Sequence, residues 1–112
     1  MNIIERRLND VIVLELDGNL ASEGNVQFRK CVTATIDAGT RKLVINMARV
    51  EYMDSTGLDE LVSCYAKLYR MRGRLKLLHP SNRLQYVLTI TKLNYVFETF
   101  SSESAAVASF NQ

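Results

Sequence analysis

The chain has 112 residues, 47% hydrophobic and 23% charged, with a formal net charge of +2. This fits one soluble globular domain spanning residues 1–112 and excludes a disordered or fibrous chain. The small net charge gives no nucleic-acid footprint, and no apolar run approaches the roughly 18 residues of a membrane span.

The N-terminal run Met1-Asn2-Ile3-Ile4-Glu5-Arg6-Arg7 lacks the basic-then-apolar order of a secretory signal, so the expected location is cytoplasmic, without membrane insertion. Ile3 to Leu8 and Val11 to Leu16 are β-rich runs around Asn9-Asp10, a pair suited to a tight hairpin. Asp17-Gly18 breaks the second run. From about Ser22 to Ala38 the residues Phe28, Cys31, Val32, Thr35 and Ile36 recur at three and four, predicting a helix that Gly39 ends. Leu43-Val44-Ile45 reads as a short strand buried on both faces.

Helical spacing returns with Leu58, Leu61, Val62, Tyr65, Ala66 and Tyr69, and Gly73 is placed to close that helix. Leu75 to Leu78 is a further strand, halted by Pro80. Ser81 is placed to cap a helix carrying Leu84, Val87 and Leu88. Val96 to Phe100 reads as an edge strand, and Ser101 or Ser102 caps a last helix through Ala105, Ala106, Val107 and Phe110. The order β-β-α-β-α-β-α-β-α predicts an α/β fold: a mixed sheet of about five strands with about four helices.

Cys31 and Cys64 fall within helical apolar patterns and read as free, packed thiols. Lys67, Arg70, Arg72, Arg74 and Lys76 read as cations at a helix C-terminus and along a solvated edge. His79 reads as a loop residue. With no Ser/His/Asp set, metal-ligand cluster or phosphate-cradling glycine loop, the chain reads as a non-enzyme without cofactor or metal.

The most informative stretch is Tyr52-Met53-Asp54-Ser55-Thr56-Gly57-Leu58, where a strand gives way to a helix. A helix N-terminus leaves backbone N–H groups without partners and is electropositive, so it accommodates an added phosphate. From the residues alone, Ser55 and Thr56 are either caps of that helix or the hydroxyls of a charge switch, and Asp54 is a capping candidate in its own right.

The longer run Asn46-Met47-Ala48-Arg49-Val50-Glu51-Tyr52-Met53-Asp54-Ser55-Thr56-Gly57-Leu58 resembles the signature of the STAS family of anti-sigma factor antagonists. Gly18-Asn19-Leu20 after the second strand and the late helix and loop from Leu84 to Leu93 agree with it, so the resemblance covers nearly the whole chain. It implies binding to an anti-sigma factor, often a serine-protein kinase, with release of a sigma factor; a phosphatase would reset the switch. Carried onto this chain, it implies Ser55 as phosphoacceptor with Thr56 as the alternative. Asp54 would orient the hydroxyl, and Gly57 would let the first helical turn come close to a partner. The implied partner surface comprises Asn19, Tyr52, Asp54, Ser55, Thr56, Gly57 and Leu58. Glu51, Asp54, Asp59 and Glu60 surround the corner, so new negative charge would repel a surface matched to a neutral hydroxyl. The alternative function within the same family is an unphosphorylated docking subunit of an ABC-type lipid or transport complex, or a signalling scaffold. This chain departs from the family pattern at Asp59, where many members have Gly, and at Ala21 and Asn46, where many have Asp.

Overall fold

The computed structural model describes residues 1–111. Strands β1 (Asn2–Leu8) and β2 (Val11–Asp17) form the antiparallel hairpin, with Leu8 opposite Val11 and Asn9 in the left-handed region at φ 59°. They are followed by α1 (Glu23–Asp37), β3 (Lys42–Arg49), α2 (Ser55–Arg70), β4 (Arg74–Leu78), α3 (Asn82–Ile90), β5 (Thr99–Phe100) and α4 (Glu103–Ala108). The sheet runs in sequence order from β1 to β5, and every pairing after the hairpin is parallel. The predicted α/β class and mixed sheet are what the chain adopts.

Side-chain alternation along the strands makes two apolar layers. Ile12, Leu14, Leu16, Leu43, Ile45, Met47, Leu75 and Leu77 face α1, α2 and α3, which contribute Phe28, Val32, Ile36, Leu61, Leu68, Leu84 and Leu88. Val11, Val13, Val44 and Leu78 face the other way, against Ala106 of α4. At about 25 cal/mol per Å² of apolar surface, the larger layer supplies most of the burial that holds the loops in place. Leu43, Val44 and Ile45 are fully buried, as their continuous apolar run predicts, although β3 itself extends on to Arg49.

Three local expectations are corrected. Gly73 does not supply the left-handed residue that ends α2; Arg72 does, at φ 64°. Arg72 N–H reaches Tyr69 O at 3.1 Å and Gly73 N–H reaches Leu68 O at 2.7 Å, a Schellman closure. Gly73 is required for another reason: a Cβ there would lie 2.7 Å from Arg41 O. At the far edge, Val96 and Phe97 are not strand. Both donate their N–H groups to Leu93 O at 2.9 Å in a 3-10 turn (Leu93–Tyr95), so only Thr99 and Phe100 pair with β4. Finally, Lys76 is no solvated edge cation. It is buried beneath the C-terminal segment, donating to Ser109 Oγ at 2.7 Å and lying 4.6 Å from the Phe110 ring centre.

The remaining helix ends follow expectation more closely. Ser81 Oγ accepts from Leu84 N–H at 3.1 Å, and Ser102, of the two serines considered, caps α4. On α2, Tyr65 packs edge-on against Phe97, whereas Val62 and Tyr69 are exposed and Leu68, like Leu61, is fully buried. Tyr69 stacks on Tyr65 beneath the Arg74 guanidinium. Cys31 and Cys64 are free thiols, half-buried and buried.

Candidate functional site

The Asp54 corner is built where two parallel strands end side by side. After β2 the chain turns at Gly18, whose N–H donates to Arg49 O at 3.2 Å. Leu20 N–H donates to Tyr52 O at 3.0 Å and Asp54 N–H to Leu20 O at 3.2 Å, with a parallel bridge between Leu20 and Met53. The segments that lead into α1 and α2 are therefore laced together, and buried Leu20 anchors both in the core. Asn19 and Tyr52 stand exposed on this lacing.

Asp54 is the N-cap of α2. Its backbone is extended, and its Oδ1 accepts the Gly57 N–H at 2.7 Å. The same oxygen takes a hydrogen bond from Asn25 Nδ2 at 3.1 Å. The Gly57 N–H, followed by Asn25, holds the Asp54 carboxyl below the usual carboxylate range, so the cap is ionised. Capping thus falls to Asp54 and to neither hydroxyl. Ser55 and Thr56 occupy the first two helical positions, where backbone N–H groups have no intrahelical acceptor, and both are exposed.

Gly57 faces inward, contrary to the expectation of an approach by a partner. A Cβ there would lie 2.2 Å from Leu20 O and 2.8 Å from Met53 Cγ, so glycine lets α2 sit against its own Leu20 loop. Leu58 is half-buried against the core. Of the acidic residues near the corner in sequence, Glu60 is paired with Arg29 at 3.0 Å, whereas Glu51 and Asp59 are exposed. Of the two departures on neighbouring segments, Asn46 has a local side-chain role: its Oδ1 accepts the Ala48 N–H at 3.0 Å. Ala21 takes part only through its backbone, its carbonyl accepting the Gly24 N–H at 3.0 Å.

Asn25 is the site residue that sequence reading missed. It is 4% exposed, and its Oδ1 has no protein partner. The signal was present: Asn25 lies three residues before Phe28, a polar side chain on the buried stripe of α1. Beside the corner, the Val50–Met53 loop and α3 enclose a cleft of about 50 Å³. Among the described residues, no group of three or more His, Cys, Asp or Glu side chains is arranged to hold a metal ion, and no helix is long and apolar enough to cross a membrane.

The family model of the STAS domain matches residues 2–106. The chain is 24% identical over 110 residues to a protein of Bordetella bronchiseptica provisionally named an anti-sigma factor antagonist, covering 98% of this chain and 95% of that one. In structure it matches a protein of Thermotoga maritima, also provisionally an anti-sigma factor antagonist, with TM-score 0.92, 22% identity and coverage of 98% and 95%. It also matches the Bacillus cell fate determinant SpoIIAA in its phosphorylated form, with TM-score 0.79, 22% identity and coverage of 97% and 99%.

Proposed function

This chain belongs to the STAS-domain family, and from that premise we propose that it is an anti-sigma factor antagonist switched by phosphorylation at Ser55. It binds an anti-sigma factor that is itself a serine-protein kinase, and so releases a sigma factor. Thr56 is the alternative acceptor, and a phosphatase restores the binding form. The partner surface is the exposed rim of the corner: Asn19, Tyr52, Ser55 and Thr56, with Asp54 and Leu58 at its base.

One observation carries this reading. Asp54 caps α2, so Ser55 and Thr56 are exposed hydroxyls with no capping duty. A phosphate there meets free helix N–H groups, which the fold tolerates, yet it adds about two negative charges beside ionised Asp54 and exposed Glu51 and Asp59. The antagonist keeps its shape while its surface changes sign and becomes more costly to desolvate. That SpoIIAA exists in a phosphorylated form supports the same mode of control. Incubation with the cognate kinase and ATP, read by mass spectrometry, tests the proposal.

A further inference from the structure

The cleft beside the corner has an apolar lining of Met47, Val50, Met53, Leu84 and Val87, with Arg83 and Glu51 also on its wall. Arg83, Tyr86, Val87 and Ile90 recur at three and four residues, so they form one stripe along α3. Tyr86 and Ile90 are 60% and 62% exposed, and Tyr52 at the cleft is 48% exposed. Single exposed apolar residues are ordinary; an apolar stripe joined to an apolar cleft marks a contact surface.

Charge and size select the occupant. Helix α3 contains no carboxylate, and Arg83 is its one charged residue. Among the described residues Arg83 makes no ion pair, and Glu51 across the cleft lies beyond pairing distance. A helix of this length offers a stripe of about 14 by 10 Å, well short of the roughly 800 Å² per partner in a stable dimer. A short segment fits where a second copy does not.

We propose that the cleft and the outer stripe of α3 form a groove for a short amphipathic helix of a partner protein. Its apolar residues, spaced at three and four, lie against Val87, Tyr86 and Ile90, and an Asp or Glu pairs with Arg83. The proposal extends the partner surface of the corner and rests on that reading only for the partner being a protein. Its charge selectivity comes from Arg83 of α3, and its apolar surface from α3 together with the Val50–Met53 loop.

The test is an NMR titration of the ¹⁵N-labelled full chain with two designed helical peptides of about 14 residues. Both carry the same leucine stripe, flanked by Glu in one and by Lys in the other. The acidic peptide is expected to bind about tenfold more tightly than the basic one and to shift amides of residues 50–53 and 83–90. Arg83→Glu is expected to reverse that preference, and Lys30→Glu on exposed α1 to leave it unchanged. Equal binding of both peptides, shifts confined to other elements, or a preference untouched by Arg83→Glu would overturn the proposal. So would dimerisation of the free chain in sedimentation that Ile90→Asp abolishes, which would assign the stripe to a second copy. Neither a kinase nor an anti-sigma factor is present, so a negative result leaves the Ser55 switch standing.

Discussion

Asn25 Nδ2 lies 3.1 Å from Asp54 Oδ1, so a buried amide in the first turn of α1 helps to hold the carboxylate that caps α2. That cross-link has a measurable electrostatic consequence. The Asp54 carboxyl is lowered from its ordinary value of 3.8, first by the Gly57 N–H and then by Asn25. A lowered native pKa stabilises the fold fully above the unfolded carboxylate value. The contribution is lost as pH falls through the lower native value. In an NMR titration Asp54 is expected to stay ionised below its ordinary pKa, and Asn25→Ala to move its midpoint upward. A midpoint that Asn25→Ala leaves in place would show that the amide is a bystander.

The hydroxyls should be cheap to remove. Ser55→Ala and Thr56→Ala are expected to change stability by no more than about 0.5 kcal/mol, because neither side chain caps the helix. Asp54→Ala should lower the melting temperature. Ser81→Ala provides the calibration, since Ser81 Oγ caps α3 at 3.1 Å, and its loss should cost about 1 kcal/mol. Thermal denaturation of the four variants reads all of this. A Ser55→Ala loss as large as that of Ser81→Ala would return Ser55 to a capping role.

Gly57→Ala should be worse than an ordinary glycine substitution in a helix. The added methyl would meet Leu20 O at 2.2 Å, so α2 must move off the loop or the lacing must open. The expected cost is about 1–3 kcal/mol, typical of overpacking, with amide shifts at residues 18–21 and 52–54. An unchanged melting temperature would mean that the two loops slide freely.

Much of this was legible in the sequence, for a physical reason. The hairpin at Asn9-Asp10, the helical stripe through Phe28, Val32 and Ile36, and the Ser81 cap are each written in contiguous residues. What escaped depends on contacts between distant segments. Gly73 was read as a helix stop, but its need for a bare Cα comes from Arg41 on the neighbouring connection. Lys76 was read as surface because nothing local shows that Ser109 and Phe110 fold over it. At the site, the motif located the corner. Asp54 was legible as a possible cap, but the Asn25 amide that braces its carboxylate comes from another helix and is not marked by the motif.

The two thiols differ in a way that alkylation will report. Burial, with a smaller effect from Glu60, pushes Cys64 up to about 12, and burial also raises Cys31, which is half-exposed. At pH 8 iodoacetamide is expected to modify the native protein at Cys31 first and to leave Cys64 intact until the chain unfolds. Prompt labelling of native Cys64 would indicate that α2 opens readily from the sheet.

The switch at Ser55 is tested most directly by one comparison with the cognate kinase and ATP. Wild type and Ser55→Ala are each incubated and mapped by mass spectrometry, and the affinity of each product for the anti-sigma factor is then measured. The account predicts one phosphate on wild-type Ser55, none on Ser55→Ala, and binding weakened about a hundredfold only in the phosphorylated protein. Absence of phosphate from the Asp54–Gly57 corner, or a phosphorylated protein that binds as tightly as before, would contradict it.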